Sequence, residues 1–205
     1  KLKRKKRMIS SDSLKDWYKA VLNLDNEKAK VYLLLLLHTG LRDTDIRFLK
    51  WEDVDFKNNS FIARDTKNGS DYTAYIAPQL EPHLKALQSL TGKNTFLFPG
   101  QTKKGVMGIP VKPIKEVCEQ SDIKFSSHDL KRTFLTLGEA TMLPLYFLKA
   151  LANHVTDNDV TSGYIITEEK TKKDATPISS IPLTQAVHNH LQAKKSTYQR
   201  IWNNL

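Results

Sequence analysis

His128, Lys131 and Arg132 stand three and four residues apart in a segment where Leu130, Phe134 and Leu137 recur at helical spacing. At about 100° per residue, placing His128 at 0° puts Lys131 near about −60° and Arg132 near about +40°. Either cation can then share an anion with the imidazole, so this face can act as an anion clamp. The plainer role for such a charge run is a solvated basic face. The charge balance of the chain favours an anionic partner. Lys and Arg number 32 against 22 Asp and Glu, the formal net charge is +10, and the pI is about 9.5, which suits nucleic acid or an anionic membrane surface. Six of these cations, Lys1, Lys3, Arg4, Lys5, Lys6 and Arg7, lie in the first seven residues, leaving the remainder mildly basic.

The elements that must position this face are mostly helices. Leu14, Trp17, Tyr18, Val21 and Leu22 mark a helix from Ser11, with Ser11, Asp12 or Ser13 as its cap. A second helix, about 26–38, carries five consecutive leucines and must be covered on nearly every side, which makes it the central core helix. Gly40 ends it, and Asp43 or Thr44 caps a third helix through Lys50. Short runs at 54–56, 61–64 and 72–77, separated by Asn58-Asn59 and Asn68-Gly69, read as a small antiparallel sheet. Helices follow over about 78–90, 112–120, 127–140 and 144–153, then briefly over 160–164, with a loop at 101–110. The stretch from Glu168 is polar and ends in a weakly amphipathic helix. The expected class is α+β, mostly α-helical with a small antiparallel β-sheet.

A single cysteine, Cys118, rules out an internal disulfide framework and a cysteine-based metal cluster, and its spacing from Ile114 and Val117 makes it a small buried hydrophobe. The longest apolar run, Val31 to Leu37, is seven residues, against the roughly 20 of a bilayer span. The basic start lacks the apolar stretch of a secretory signal. Beginning at Lys1, the sequence reads as a fragment whose upstream part is missing.

The segment Thr39-Gly40-Leu41-Arg42-Asp43-Thr44-Asp45 resembles the first signature of the tyrosine recombinases, the phage integrase family, in which an arginine in such a turn is followed three positions on by an acidic residue. His128-Asp129-Leu130-Lys131-Arg132-Thr133-Phe134 is similar to the family's His-x-x-Arg signature. Leu151-Ala152-Asn153-His154 is similar to its next histidine motif, and Tyr164 stands at the place of its nucleophile. Thr66-Lys67-Asn68-Gly69 resembles the β-hairpin that carries the family's lysine. The five elements occur in the family's order across residues 39–164.

The resemblance implies the tyrosine recombinase catalytic fold and a site-specific recombinase that cleaves and rejoins DNA through a 3′-phosphotyrosine intermediate, with no cofactor or metal. In it Tyr164 attacks a backbone phosphate in line, Arg42 with Lys131 or Arg132 balances the charge that develops on the non-bridging oxygens, and Lys67 protonates the departing 5′ oxygen. His128 accepts a proton or donates to the phosphate, His154 donates to the phosphate, and Asp45 positions its neighbours. Where the family has its second arginine this chain has Lys131, which keeps the charge and loses the two-pronged grip. Arg132 follows one place later, and the family position ranks Lys131 first. His154 and Tyr164 are ten residues apart, one more than in the best-known members.

Taken singly, each residue also has a duller role: Arg42 as a cap for helix carbonyls, Lys67 as an exposed turn residue, His154 as a helix end, Tyr164 as packing. The expected organisation is a basic linker over 1–10, its Lys3, Arg4, Lys5, Lys6 and Arg7 lying along DNA phosphates, a catalytic domain over 11–167 and a tail over 168–205 that exchanges between protomers. Duplex DNA, a homo-tetramer on DNA, and accessory DNA-bending or directionality proteins are the implied partners, with no membrane. The implied setting is cytoplasmic, bacterial or phage-encoded, and associated with the nucleoid. The rivals are a type IB topoisomerase, a DNA-binding regulator with a degenerate site, and a metal-dependent nuclease built on Asp53 and Asp55.

Overall fold

The computed structural model describes residues 7–140, 148, 149 and 151–153. The chain divides after Asn153, and the first unit contains everything described below. Its elements run α1 (Ser11–Leu22), α2 (Glu27–Thr39), α3 (Asp43–Arg47), a 3-10 turn at Trp51–Asp53, β1 (Val54–Asp55), β2 (Ser60–Ala63), β3 (Tyr72–Tyr75), α4 (Glu81–Thr91), α5 (Val111–Ser121) and α6 (Ser127–Ala140). The expected α+β class, mostly helical with a small sheet, is the one observed.

Helix α2 is the hub, touching α1, α3, α4 and α6, and every residue from Val31 to Thr39 is buried. An all-round apolar helix has no other place to go. Truncating one of its leucines, such as Leu35→Ala, is expected to cost about 2–5 kcal/mol. Asn26 caps the start of α2, its side chain accepting from Ala29 N at 3.0 Å. Gly40 closes its end at φ 63°, and a Cβ there would lie 2.4 Å from Cδ1 of Phe134. Handedness and space both demand glycine at this point, because α6 packs directly against the turn.

The sheet is antiparallel in the order β1-β2-β3, with Val54 opposite Phe61 and Phe61 opposite Ala74. Phe61, Ala63, Ala74 and Ile76 turn inward. Caps and boundaries differ from the sequence expectation at several points, the last strand among them, which ends at Tyr75 instead of Ala77. Ser10, and none of Ser11 to Ser13, caps α1, its Oγ accepting from Ser13 N at 3.3 Å. The third helix stops at Arg47, since Leu49 O accepts from Leu97 N and Trp51 N donates to Thr95 O, so residues 49–51 pair with 95–97 as an extended ladder. The fourth helix starts at Glu81, after a turn over 78–80. At the other end of the unit, Gly138 lets α6 meet the helical residue Leu148, since a Cβ there would lie 2.3 Å from Leu148 Cδ2.

Candidate active site

Two elements carry the principal cations, and one buried tyrosine pins them together. The Tyr32 hydroxyl donates to Asp43, the residue after Arg42, and lies 3.1 Å from the hydroxyl of Ser127, the residue before His128. Burial and the carboxylate beside it push the Tyr32 phenol well above its ordinary range, so it remains a donor. Arg47 grips the same carboxylate in a fork, with Nε at 2.9 Å from Oδ1 and Nη2 at 2.6 Å from Oδ2. The turn that bears Arg42 is thus locked to the start of α6.

Arg42 is the N-cap residue of α3, so the carbonyl-capping role falls to Gly40 instead. Its backbone N donates to Asp45 Oδ2 at 3.3 Å, and its Nη1 stands 3.8 Å from the same oxygen. Nη1 is buried with no hydrogen-bond partner among the described residues. A guanidinium donor left in that condition calls for an acceptor, and an anion oxygen supplies one. Burial pushes the Asp45 carboxyl up, against the pull of Arg42 and Lys131. Asp45 therefore both orients Arg42 and partly balances the cations around it.

The two adjacent cations of α6 meet different fates. Lys131 is 5% exposed, donates from Nζ to Ala152 O at 2.5 Å, and feels both Arg42 and Asp45. Burial first, then Arg42, draws its pKa down to about 8. Arg132 instead donates from Nη1 to Asp129 Oδ1 at 2.9 Å. Asp129 is 2% exposed and also accepts from Ser126 N at 2.9 Å and Ser126 Oγ at 2.8 Å, with Arg7 Nη2 3.4 Å away. The single clamp expected from helical angles is split: Lys131 joins Arg42 and Asp45, while Arg132 is engaged by a carboxylate on its own helix. His128 is exposed at the rim, and burial of its ring with the charge of Arg132 moves its pKa below 6.5. A neutral imidazole there can accept a proton. His38, by contrast, is buried in α2 and pushed down to about 3, which removes it from proton transfer.

Lys67 is exposed at the hairpin tip between β2 and β3, where Gly69 at φ 74° donates to Thr66 O at 2.7 Å. Its neighbour Asn68 accepts from Arg42 Nη2 at 3.4 Å, so the tip reaches the arginine. At the hairpin base Arg64 donates to Asp53 at 2.6 Å and to Asp71 at 2.7 Å, which anchors the arm. This pairing engages Asp53, and Asp55 accepts from Lys57 N and Asn58 N in its turn, so both carboxylates of the nuclease alternative are already engaged by hydrogen bonds. Among the described residues no group of three His, Cys, Asp or Glu is arranged to hold a metal. Of the basic start only Arg7 is described, and Lys3, Arg4, Lys5, Lys6, His154 and Tyr164 lie outside the described residues. Reading the sequence missed Asn68, Asn153 and Asp129. The pattern Ser126-x-x-Asp129, a helix-capping spacing, was the available signal for the last.

The model of the phage integrase family matches residues 7–171. The chain belongs to the phage integrase family. Prophage integrase IntF of Escherichia coli strain K12 is 30% identical over 150 residues, which cover 71% of this chain and 32% of that protein. Tyrosine recombinase XerA of Pyrococcus furiosus is 27% identical over 139 residues, covering 65% of this chain and 49% of the relative. The chain therefore spans between about a third and a half of the length of these two relatives. Among solved structures, a XerH site-specific recombinase bound to palindromic difH substrate superimposes with a TM-score of 0.64 at 16% identity, over 81% of this chain and 50% of that one. A lambda integrase dimer bound to a COC′ core site gives 0.57 at 16% identity, over 74% and 59%. These likenesses establish the tyrosine recombinase catalytic fold for this integrase-family chain. Among the described residues no helix is long and apolar enough to cross a membrane.

Proposed function

We propose that the chain is the catalytic part of a site-specific recombinase that breaks and rejoins DNA strands through a 3′-phosphotyrosine link. The Tyr164 oxygen attacks phosphorus, the new P–O bond forms as the bond to the 5′ oxygen breaks, and the phosphate stays esterified throughout. The phenol proton passes to His128, and Lys67 delivers one to the departing oxygen. Arg42 and Lys131 face the non-bridging oxygens, where negative charge grows in the transition state. His154 donates a further hydrogen bond. Because the bond energy is kept in the phosphotyrosine, a 5′-hydroxyl can reverse the step without ATP.

The observation that carries this reading is the convergence of Arg42 and Lys131 on Asp45, with a buried guanidinium Nη1 that has no hydrogen-bond partner among the described residues. Recombinases solved with their DNA share this fold, which supports duplex DNA as the partner. The basic residues Lys3, Arg4, Lys5, Lys6 and Arg7 then track phosphates between an upstream region and the catalytic domain at 11–167. The stretch 168–205 then docks on a neighbouring copy in a tetramer on DNA. Accessory DNA-bending or directionality proteins complete the assembly, in a bacterial or phage-infected cytoplasm.

The test uses a pool of nicked duplexes of randomised sequence, from which covalently attached DNA is recovered after denaturation. The parent chain is expected to capture DNA and Tyr164→Phe to capture none while still binding duplex. Attachment that survives Tyr164→Phe would refute the nucleophile. The lysine at position 131 favours a second reading, a DNA-binding regulator with a degenerate site. Duplex binding by the parent without any attachment would select it.

A further inference from the structure

The turn at 151–153 receives side chains from three separate elements. Tyr72 of β3 donates to Leu151 O at 2.9 Å, Lys131 of α6 to Ala152 O at 2.5 Å, and Asn68 of the hairpin tip to Asn153 O at 3.3 Å. These carbonyls follow helical residues and belong to the groups that a helix end leaves without partners. Asn153 itself sits in the left-handed region at φ 46°, which asparagine tolerates better than most residues. Its Oδ1 accepts from Asn68 Nδ2 at 2.9 Å, and its Nδ2 donates to Thr66 Oγ1 at 2.9 Å. Thr66 Oγ1 donates onward to Ser70 O at 2.9 Å, and Asn68 Oδ1 accepts from Arg42 Nη2 at 3.4 Å.

The hydrogen bonds run in one direction, from Arg42 to Asn68 to Asn153 to Thr66 to Ser70. That order sets which way each amide points, since reversing either one would face donor to donor. Lys67 is the residue between the two that Asn153 holds. We propose that Asn68 and Asn153 are positioning residues whose paired amides clasp the hairpin tip to the 151–153 turn and thereby hold Lys67 at the Arg42 pocket for proton delivery. The clasp rests on the reading of Lys67 as general acid given above. An exposed loop tip without it samples many conformations, and proton transfer requires one of them.

The test exploits the leaving group. A 5′ sulfur in place of the bridging oxygen departs as a thiolate and needs no proton, so a defect in proton delivery disappears on that substrate. Asn68→Ala, Asn153→Gly, their double variant and Lys67→Ala would be compared with the parent chain on one nicked duplex recovered from the randomised pool, built with oxygen or sulfur at the scissile bond. Asn153→Gly keeps the left-handed backbone and removes only the amide. Each single clasp variant is expected to cleave the oxygen substrate roughly tenfold or more slowly. The double is expected to be no slower than the slower single, and all four variants to approach the parent rate at sulfur. Equal losses on both substrates, or a parental rate for Asn68→Ala at oxygen while Lys67→Ala is slow, would overturn the clasp. Should Lys67→Ala match the parent at oxygen, the general-acid reading fails and takes the clasp with it. Asn68→Ala lies on an exposed tip and decides the matter even if Asn153→Gly does not fold.

Discussion

The two sides of α6 carry adjacent cations, and their surroundings treat those charges in opposite ways. On one side Lys131 is buried against Arg42, Asp45 and the Ala152 carbonyl, with two cations sharing one carboxylate. On the other, Asp129 gathers Arg132, Arg7 and the capping Ser126 around a single buried carboxylate. The first arrangement leaves unbalanced positive charge facing inward, which is what an incoming phosphate can neutralise. The second also gathers two cations on one carboxylate, but Arg7 and Arg132 are 43% and 33% exposed, so water screens their charge, and it anchors the N-terminal segment, where Ile9 N also donates to Thr133 Oγ1 at 2.9 Å. One helix thus presents a face suited to catalysis and a face suited to architecture.

The comparison breaks most directly through the two cations themselves. Lys131→Ala is expected to slow covalent attachment by roughly 100-fold or more, and Arg132→Ala by only severalfold, in single-turnover cleavage. Equal losses would erase the distinction. Gly40→Ala attacks the packing that keeps Arg42 against α6: a left-handed backbone and the Phe134 ring together predict about 2–4 kcal/mol of lost stability by denaturant unfolding. If stability is unchanged, the turn is not the rigid link described.

A pH profile sharpens the contrast, because the two consequences of a depressed Lys131 pKa have opposite signs. Its folded value, about 8, lies below the ordinary 10.5. Between those values the unfolded chain holds the proton and the folded one does not, so the contribution of Lys131 makes stability rise with pH. Over the same window the charge proposed to face the phosphate is lost, and kcat/KM for cleavage is expected to fall about tenfold per pH unit above about 8. Lys131→Arg should remove that alkaline limb, and an unchanged limb would place the titration elsewhere. The smallest effect belongs to the architectural side. Asp129→Asn should cost about 1–2 kcal/mol in thermal unfolding through lost capping and ion pairing, while cleavage well below the melting temperature stays near the parent rate.

Much of this architecture was legible beforehand. The leucine run of α2, the Gly40 stop, the Asn68-Gly69 turn and the periodicity of α6 each encode local geometry through side-chain size, branching or backbone freedom. The boundaries that shifted did so through long-range pairing: Leu49 and Trp51 trade helical hydrogen bonds for partners at 95–97, which no local pattern announces. Asn153 was invisible for a related reason, since its amide acquires meaning only when a hairpin 85 residues away reaches it.

By itself the sequence determined that basic and nucleophilic groups recur in a particular order, on helices and a hairpin able to hold them. It left Lys131 and Arg132 nearly symmetric about His128, because backbone periodicity separates the two by angle alone. Only the tertiary structure gave the two different surroundings. One side of the helix meets a carbonyl and a guanidinium from distant segments, the other meets its own first-turn carboxylate, and at close range the local field outweighs position along the chain.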